Sequence, residues 1–382
     1  MTLALPDTGT FVGRIWRPDR AGPAVVLRVA DRLVDITSAA IPTMQALLET
    51  DDPVATALGA QGEDVGSLAR ITSNSTEQPD MARPFLLAPA DVQPIKASGV
   101  TFVSSMLERV IEEKAKGDPA KADAIRDRCT EIFGPSLRGI EPGSDKAAAL
   151  KDALIAEDAW SQYLEVGIGP DAEVFSKAQP MSAMGWGASV GLHPMSTWNN
   201  AEPEVTLAVD SRGRVKGACL GNDVNLRDVE GRSALLLSKA KDNNASCALG
   251  PMLRLFDDGF GMDDVRRADL TLTVTGTDGF VMTGHSSMAE ISRDPEALVR
   301  QTYGAHHQYP DGFFLMLGTL FAPTQDRDAP GAGFTHKLGD VVEISNPDLG
   351  VLRNTVRLST ECPPWTFGTM ALMRNLAQRQ LI

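Results

Sequence analysis

The sequence predicts an α+β fold that is mostly β, with a helical insertion and a small N-terminal β-rich domain. Three observations lead there. Short apolar runs broken by Gly- and Pro-containing turns fill the first 36 residues and return from about residue 202 to the C-terminal hairpin. One block, roughly 102–166, carries helical patterning instead. Between Glu77 and Pro94 stand Pro79, Pro84, Pro89 and Pro94, which prevent a continuous helix or a central strand. That stretch reads as a linker, dividing the chain into residues 1–92 and a main domain, 93–382.

In order, Phe11-Val12, Arg14-Ile15, Ala24 to Val29 and Leu33 to Ile36 read as strands, and Pro42 opens a short helix near Met44–Leu48. A helix follows Gly99 and carries Glu108, Glu112 and Glu113. A second runs to about Phe133, and a third, capped by Ser144, runs from Asp145 to Val166. The two glutamates at 112 and 113 suit a solvated helix face. Strands are expected at Leu270–Thr275, Gly279–Thr283 and Phe313–Phe321, with a helix at Asp294–Tyr303 between the last two. The runs Lys337–Ile344 and Gly350–Arg357 form a hairpin around Asn346-Pro347-Asp348.

The 382 residues carry a formal charge of −14, which argues against nucleic acid and anionic membrane surfaces as partners. Four scattered cysteines fit neither metal-finger spacing nor a disulfide framework, so free thiols in a reducing cytoplasm are expected. The N-terminus lacks the pattern of a signal peptide, and no run reaches the roughly 18 apolar residues of a membrane span.

Chemistry concentrates between Glu202 and Lys239. Glu202 and Glu204 project from one side of a strand, because successive side chains alternate faces. A turn at Ser211-Arg212-Gly213 returns the chain so that Asp223 falls roughly opposite Glu202. Three carboxylates then converge with no cationic residue between them on that face. Such a cluster repels itself unless it holds a cation, and all-oxygen ligands suit a hard ion such as Mg²⁺.

The motifs in order are Glu202-Pro203-Glu204, Asn222-Asp223 with Arg227-Asp228, Ser238-Lys239, Gly318-Thr319, Leu338 to Ile344, and Gly350 to Val356. This series, over about residues 95–382, resembles the fumarylacetoacetate hydrolase family. The resemblance implies a mixed β-roll catalytic domain, a homodimer or higher homo-oligomer, and Mg²⁺ (or Mn²⁺) on Glu202, Glu204 and Asp223. It implies that Lys239 is the active-site lysine, with Lys241 of the same Ser-Lys-Ala-Lys run as the alternative. Gly318-Thr319 would receive the carboxylate of a 2-oxo acid. Arg227 and Asp228 are expected to make structural contacts.

Family hydrolases carry N-Y-x-x-H-x-x-E, whose His–Glu pair activates water. Here the matching stretch runs from Thr101 to Glu108 and puts Ser105 at the histidine position. Serine is no base near neutral pH, and none of the five histidines is close in sequence. A metal, a lysine and Glu108 suit proton abstraction beside a ketone. Residues Gly99 to Glu108 look like the sugar-acid branch, the 2-keto-3-deoxy-pentonate dehydratases. The implied reaction converts 2-keto-3-deoxy-D-xylonate or D-arabinonate to 2-oxoglutarate semialdehyde in the cytoplasm, with Glu108 as general acid/base and Lys239 supplying positive charge. Ser105 and Ser286 would bind the sugar-acid hydroxyls. The competing readings are a hydrolase of 2,4-dioxo acids and a metal-holding protein that binds a 2-oxo acid without catalysis.

Overall fold

The computed structural model describes residues 3–99, 101–102, 110, 114, 140–156, 160–319, 321, 323, 325–329 and 333–382. The expected helices between 103 and 139, with Ser105 and Glu108, lie outside the described residues.

The strands are β1 (Phe11–Arg17), β2 (Gly22–Val29), β3 (Arg32–Asp35), β4 (Glu63–Ser67), β5 (Phe85–Leu87), β6 (Ile95–Ser98), β7 (Val174–Ala178) and β8 (Ser189–Leu192). They continue as β9 (Pro203–Val209), β10 (Val215–Asp223), β11 (Cys247–Leu255), β12 (Asp269–Thr275), β13 (Val281–Ser287), β14 (Phe313–Met316), β15 (Val341–Asn346) and β16 (Gly350–Leu358). One sheet runs β4-β3-β2-β1-β11-β10-β9-β14-β6-β7, with β5 paired to β1. The other runs β13-β12-β15-β16-β8. Mixed sheets dominate, as the sequence predicts. Hydrogen bonding crosses the expected boundary at residue 92: Phe11 and Val12 of β1 pair with Arg254 and Leu253 of β11.

Alternation on β9 and β10 separates two cores. Val205, Leu207 and Val209 pack with Ala218 and Leu220 against Leu270, Leu272, Val342 and Ile344 of the second sheet. On the other face, Ala208, Cys219, Leu249 and Met316 pack with Val12, Val25, Met44 and Leu47 from the N-terminal region. Strand parity puts Glu202, Glu204 and Asp223 on this second face, at its end.

The β9–β10 turn is closed by a side chain. Asp210 is fully buried, and its Oδ1 accepts from the amides of Arg212 and Arg214 at 2.9 Å each. Gly213 sits at φ +76°, where a Cβ is disfavoured, and completes the turn. The register follows: Glu202 and Asp223 exchange backbone hydrogen bonds at 3.2 and 3.1 Å.

Three elements depart from expectation. The helix expected over Asp145–Val166 is two, Asp145–Ala156 and Gln162–Ile168, because Ser161 caps the second by accepting from the Tyr163 amide. The strand expected to reach Phe321 stops at Met316, two residues before Gly318 turns left-handed at φ +88°. A C-terminal helix, Thr369–Gln378, packs on β2, where Asn375 donates to the carbonyls of Arg20 and Ala21. Among the described residues no helix is long and apolar enough to cross a membrane.

Candidate metal centre

The carboxylates of Glu202, Glu204 and Asp223 offer oxygens that all lie within 4.8 Å of one another, and all three residues are buried. The face is not free of cations, contrary to the sequence expectation. Lys241 places Nζ 2.6 Å from Glu202 Oε2 and 2.9 Å from Asp223 Oδ2. Lys177, with no exposed surface, reaches the other oxygen of Asp223 at 2.7 Å. Its remaining protons go to the carbonyls of Val224 at 2.9 Å and Lys241 at 2.6 Å. Lys177 therefore ties the end of β10 to the end of the helix Leu237–Lys241. The Lys241 ammonium also lies over the Phe175 ring, with Nζ 5.5 Å from its centroid.

Lys239, the lysine expected at the site, lies on the same short helix but is exposed, and the alternative, Lys241, takes the buried place beside the carboxylates. Residues two apart on a helix point about 200° apart, so only one of the two can face the site. Lys177 was not foreseen; its signal is a lysine inside the strand Val174–Ala178, two residues after Phe175 and so on the same face.

The three carboxylates are electrostatically unequal. Burial would raise Asp223, yet Lys177 and Lys241 outweigh it and hold this carboxyl below the ordinary range. Glu204 goes the other way. Burial pushes it well above the usual carboxylate range, and the charges of Asp223 and Glu202 push further. Among the described residues Glu204 makes no ion pair; its Oε2 accepts from the Gly318 amide at 2.7 Å. Glu202 Oε1 accepts from the side-chain amide of Asn225 at 3.1 Å.

Buried like charges of this kind are costly unless compensated. With all three carboxylates ionised, the two ammonium groups leave one net negative charge. The oxygen-rich donor set and the unpaired, destabilised anion of Glu204 fit a hard divalent cation. Bound there, such an ion would leave the pocket with one net positive charge, matched to a single carboxylate anion.

The remaining expected residues divide. Gly318 contacts Glu204 directly, and Thr319 follows it, its hydroxyl accepting from the Phe321 amide at 3.1 Å. Ser286 is buried on β13 in the other sheet, opposite Leu270, and the described contacts do not bring it to the carboxylates. Arg227 stacks over Trp198, 4.4 Å from the ring centroid, while Asp228 accepts from Ser196 Oγ and the Thr197 amide at 2.8 Å each. Both fix the loop that leads into Glu202.

Residues 193–357 match the profile of the fumarylacetoacetate (FAA) hydrolase C-terminal family. The matched stretch, which is similar to that family, contains all three carboxylates, Lys241 and Gly318, while Lys177 comes from just outside it. A protein of Haloferax volcanii named "Probable 2-keto-3-deoxyxylonate dehydratase" is 28% identical over 194 residues, 51% of this chain and 63% of that protein. A "2-dehydro-3-deoxy-D-arabinonate dehydratase" of Saccharolobus solfataricus is 28% identical over 185 residues, 48% of this chain and 58% of that one. The chain thus spans less than two thirds of either relative's length. Among solved structures, a 2-keto-3-deoxy-D-arabinonate dehydratase complexed with magnesium and 2,5-dioxopentanoate superposes with a TM-score of 0.63 at 19% identity, covering 91% of this chain and 99% of that one. An FAA hydrolase from Exiguobacterium antarcticum gives 0.53 at 14% identity, covering 91% and 99%. These neighbours share the fold.

Proposed function

We propose that the protein is a Mg²⁺- or Mn²⁺-dependent hydro-lyase that dehydrates a 2-keto-3-deoxy-pentonate, D-xylonate- or D-arabinonate-derived, to 2-oxoglutarate semialdehyde. The observation that carries the reading is the buried set of Glu202, Glu204 and Asp223 with Lys241 between two of them. The two dehydratase relatives point the same way. Glu202, Glu204 and Asp223 would hold the ion. When bound it supplies Lewis-acid polarisation of a 2-oxo acid and stabilises negative charge developing beside the carbonyl.

The chain's own groups do the rest. The substrate loses a proton from C3 and the hydroxyl from C4, which leaves as water after protonation. A proton then passes from C5 to C3, and the resulting C4–C5 enol takes a proton at C4 as its hydroxyl becomes the aldehyde; the net change is loss of one water. Glu108 is the proposed acid/base for C3 and the leaving hydroxyl. Lys241, rather than Lys239, holds positive charge beside the carboxylates and is placed to orient substrate oxygen. Gly318 and Thr319 close the site next to Glu204, and Ser105 and Ser286 are proposed to read the sugar-acid hydroxyls.

Ser105 at the place of the hydrolases' histidine favours dehydration over cleavage of a 2,4-dioxo acid. Incubation with Mg²⁺ and 2-keto-3-deoxy-D-xylonate or D-arabinonate should yield the semialdehyde, trapped as its hydrazone. Pyruvate from an acylpyruvate, with no semialdehyde, would instead assign a hydrolase. A homodimer in the cytoplasm completes the proposal, and the elution volume of the purified protein tests the first part of it.

A further inference from the structure

The peptide unit between Leu317 and Gly318 is gripped at both ends. Its carbonyl, on Leu317, accepts a 2.7 Å hydrogen bond from Thr101 Oγ1. Its N–H, on Gly318, donates at 2.7 Å to Glu204 Oε2. The amide of Leu317 itself still belongs to the sheet, donating to the Val205 carbonyl at 3.1 Å. The chain therefore leaves β14 and within one residue aims a backbone donor at a carboxylate of the metal set.

We propose that Thr101 is a positioning residue for Glu204, acting through the Leu317–Gly318 peptide; the inference rests on the metal-site reading above. Three observations support it. Thr101 is only 2% exposed, so its hydroxyl has no solvent alternative to the carbonyl. Its own carbonyl is fixed by two donors on Ser292, the amide at 2.7 Å and Oγ at 2.8 Å, so the threonine is anchored from behind. Gly318 adopts φ +88°, and a Cβ built there would fall 2.1 Å from Thr101 Oγ1 and 2.8 Å from the Gly99 carbonyl. The glycine is what lets the hydroxyl approach.

Donation to an amide carbonyl polarises the whole peptide and strengthens its N–H as a donor. The recipient is the one carboxylate of the three with no ion pair among the described residues. The bond from Gly318 engages Oε2 and fixes which oxygen of Glu204 remains for a cation. Thr101 thereby links the entrance of the segment carrying Ser105 and Glu108 to the metal ligands.

The test is Mn²⁺ affinity, read by the loss of free-ion electron paramagnetic resonance signal, in Thr101→Val and Thr101→Ser. Valine keeps the shape and removes the donor; it should weaken Mn²⁺ binding about three- to tenfold, the worth of one hydrogen bond. Serine should restore wild-type affinity. If valine leaves a buried carbonyl unpaired and the protein fails to fold, Thr101→Cys gives a weaker donor at the same place and should fall between wild type and a several-fold loss. Asn375→Ala, which frees the C-terminal helix from the carbonyls of Arg20 and Ala21, should lower thermal stability without changing affinity, which separates general loosening from positioning. Wild-type affinity in folded Thr101→Val or Thr101→Cys overturns the inference. Absence of Mn²⁺ binding by the wild-type protein overturns the metal-site reading instead.

Discussion

The ammonium of Lys177 lies 2.7 Å from Asp223 Oδ1, with side chains 0% and 1% exposed. Removing one partner of such a pair strands the other charge, at a cost of about 3–5 kcal/mol. Lys177→Met should therefore lower unfolding stability by that order in metal-free buffer. Added Mg²⁺ should recover more of the loss than it adds to wild type, since it supplies the missing positive charge. Unchanged urea midpoints would refute the assignment.

Lys241 and Lys239 should separate cleanly. Lys241→Met should lower kcat on the 2-keto-3-deoxy-pentonate at least 100-fold, because its head group contacts both Glu202 and Asp223. Lys239→Met should stay within about twofold, in keeping with surface substitutions generally. The reverse ranking would restore the residue named from the sequence.

Metal dependence should track Glu204. Chelation with EDTA should abolish turnover, and Mg²⁺ or Mn²⁺ should restore it. Glu204→Gln keeps the Gly318 contact but removes the anion, and should cost at least tenfold in Mn²⁺ affinity measured by calorimetry. Affinity equal to wild type would exclude Glu204 as a ligand.

Strong acid should also weaken a second buried cluster, around Asp340. Asp340 has no exposed surface and is opposed by burial, yet His336 and then Arg327 outweigh this and bring its carboxyl down to about 2. Arg327 donates at 2.6 and 2.9 Å, and His336 Nδ1 lies at 3.0 Å. A carboxyl depressed on folding stabilises above its unfolded value of 3.8, and the contribution fades as pH falls from there toward 2. Asp340→Asn should be destabilised at pH 7, with the gap to wild type closing only below about pH 4 in denaturant titrations. A gap independent of pH would mean that shape, not charge, matters at this position.

Legibility followed sequence distance and period. Glu202, Glu204 and Asp223 were readable because strand parity and one short turn decide where they point. Lys241 was narrowed to two candidates, and helix geometry chose between them only once the helix Leu237–Lys241 was defined. Lys177 was invisible because its partner Asp223 lies across a sheet whose strand order, β9 beside β14 and β6 beside β7, no local pattern encodes. The long helix ending at Val166 failed for a local reason: helical periodicity persisted through Ser161, whose side chain caps a new helix there. The C-terminal helix packs on β2, with Leu372, Asn375 and Leu376 buried, a pairing across the length of the chain that no local pattern encodes.

The pairing of β1 with β11 has a consequence for dissecting the molecule. β11 carries Cys247 directly opposite Asp223, so the carboxylate-bearing strands lie in the interior of a sheet whose outer rungs on that side come from the first 92 residues. Excising those residues would leave β11 as a bare border of unpaired amides and carbonyls, with Leu249, Leu253 and Leu255 uncovered beside it. Such a border recruits foreign strands. β1 thus covers a border of β11 that would otherwise be open to pairing with other chains.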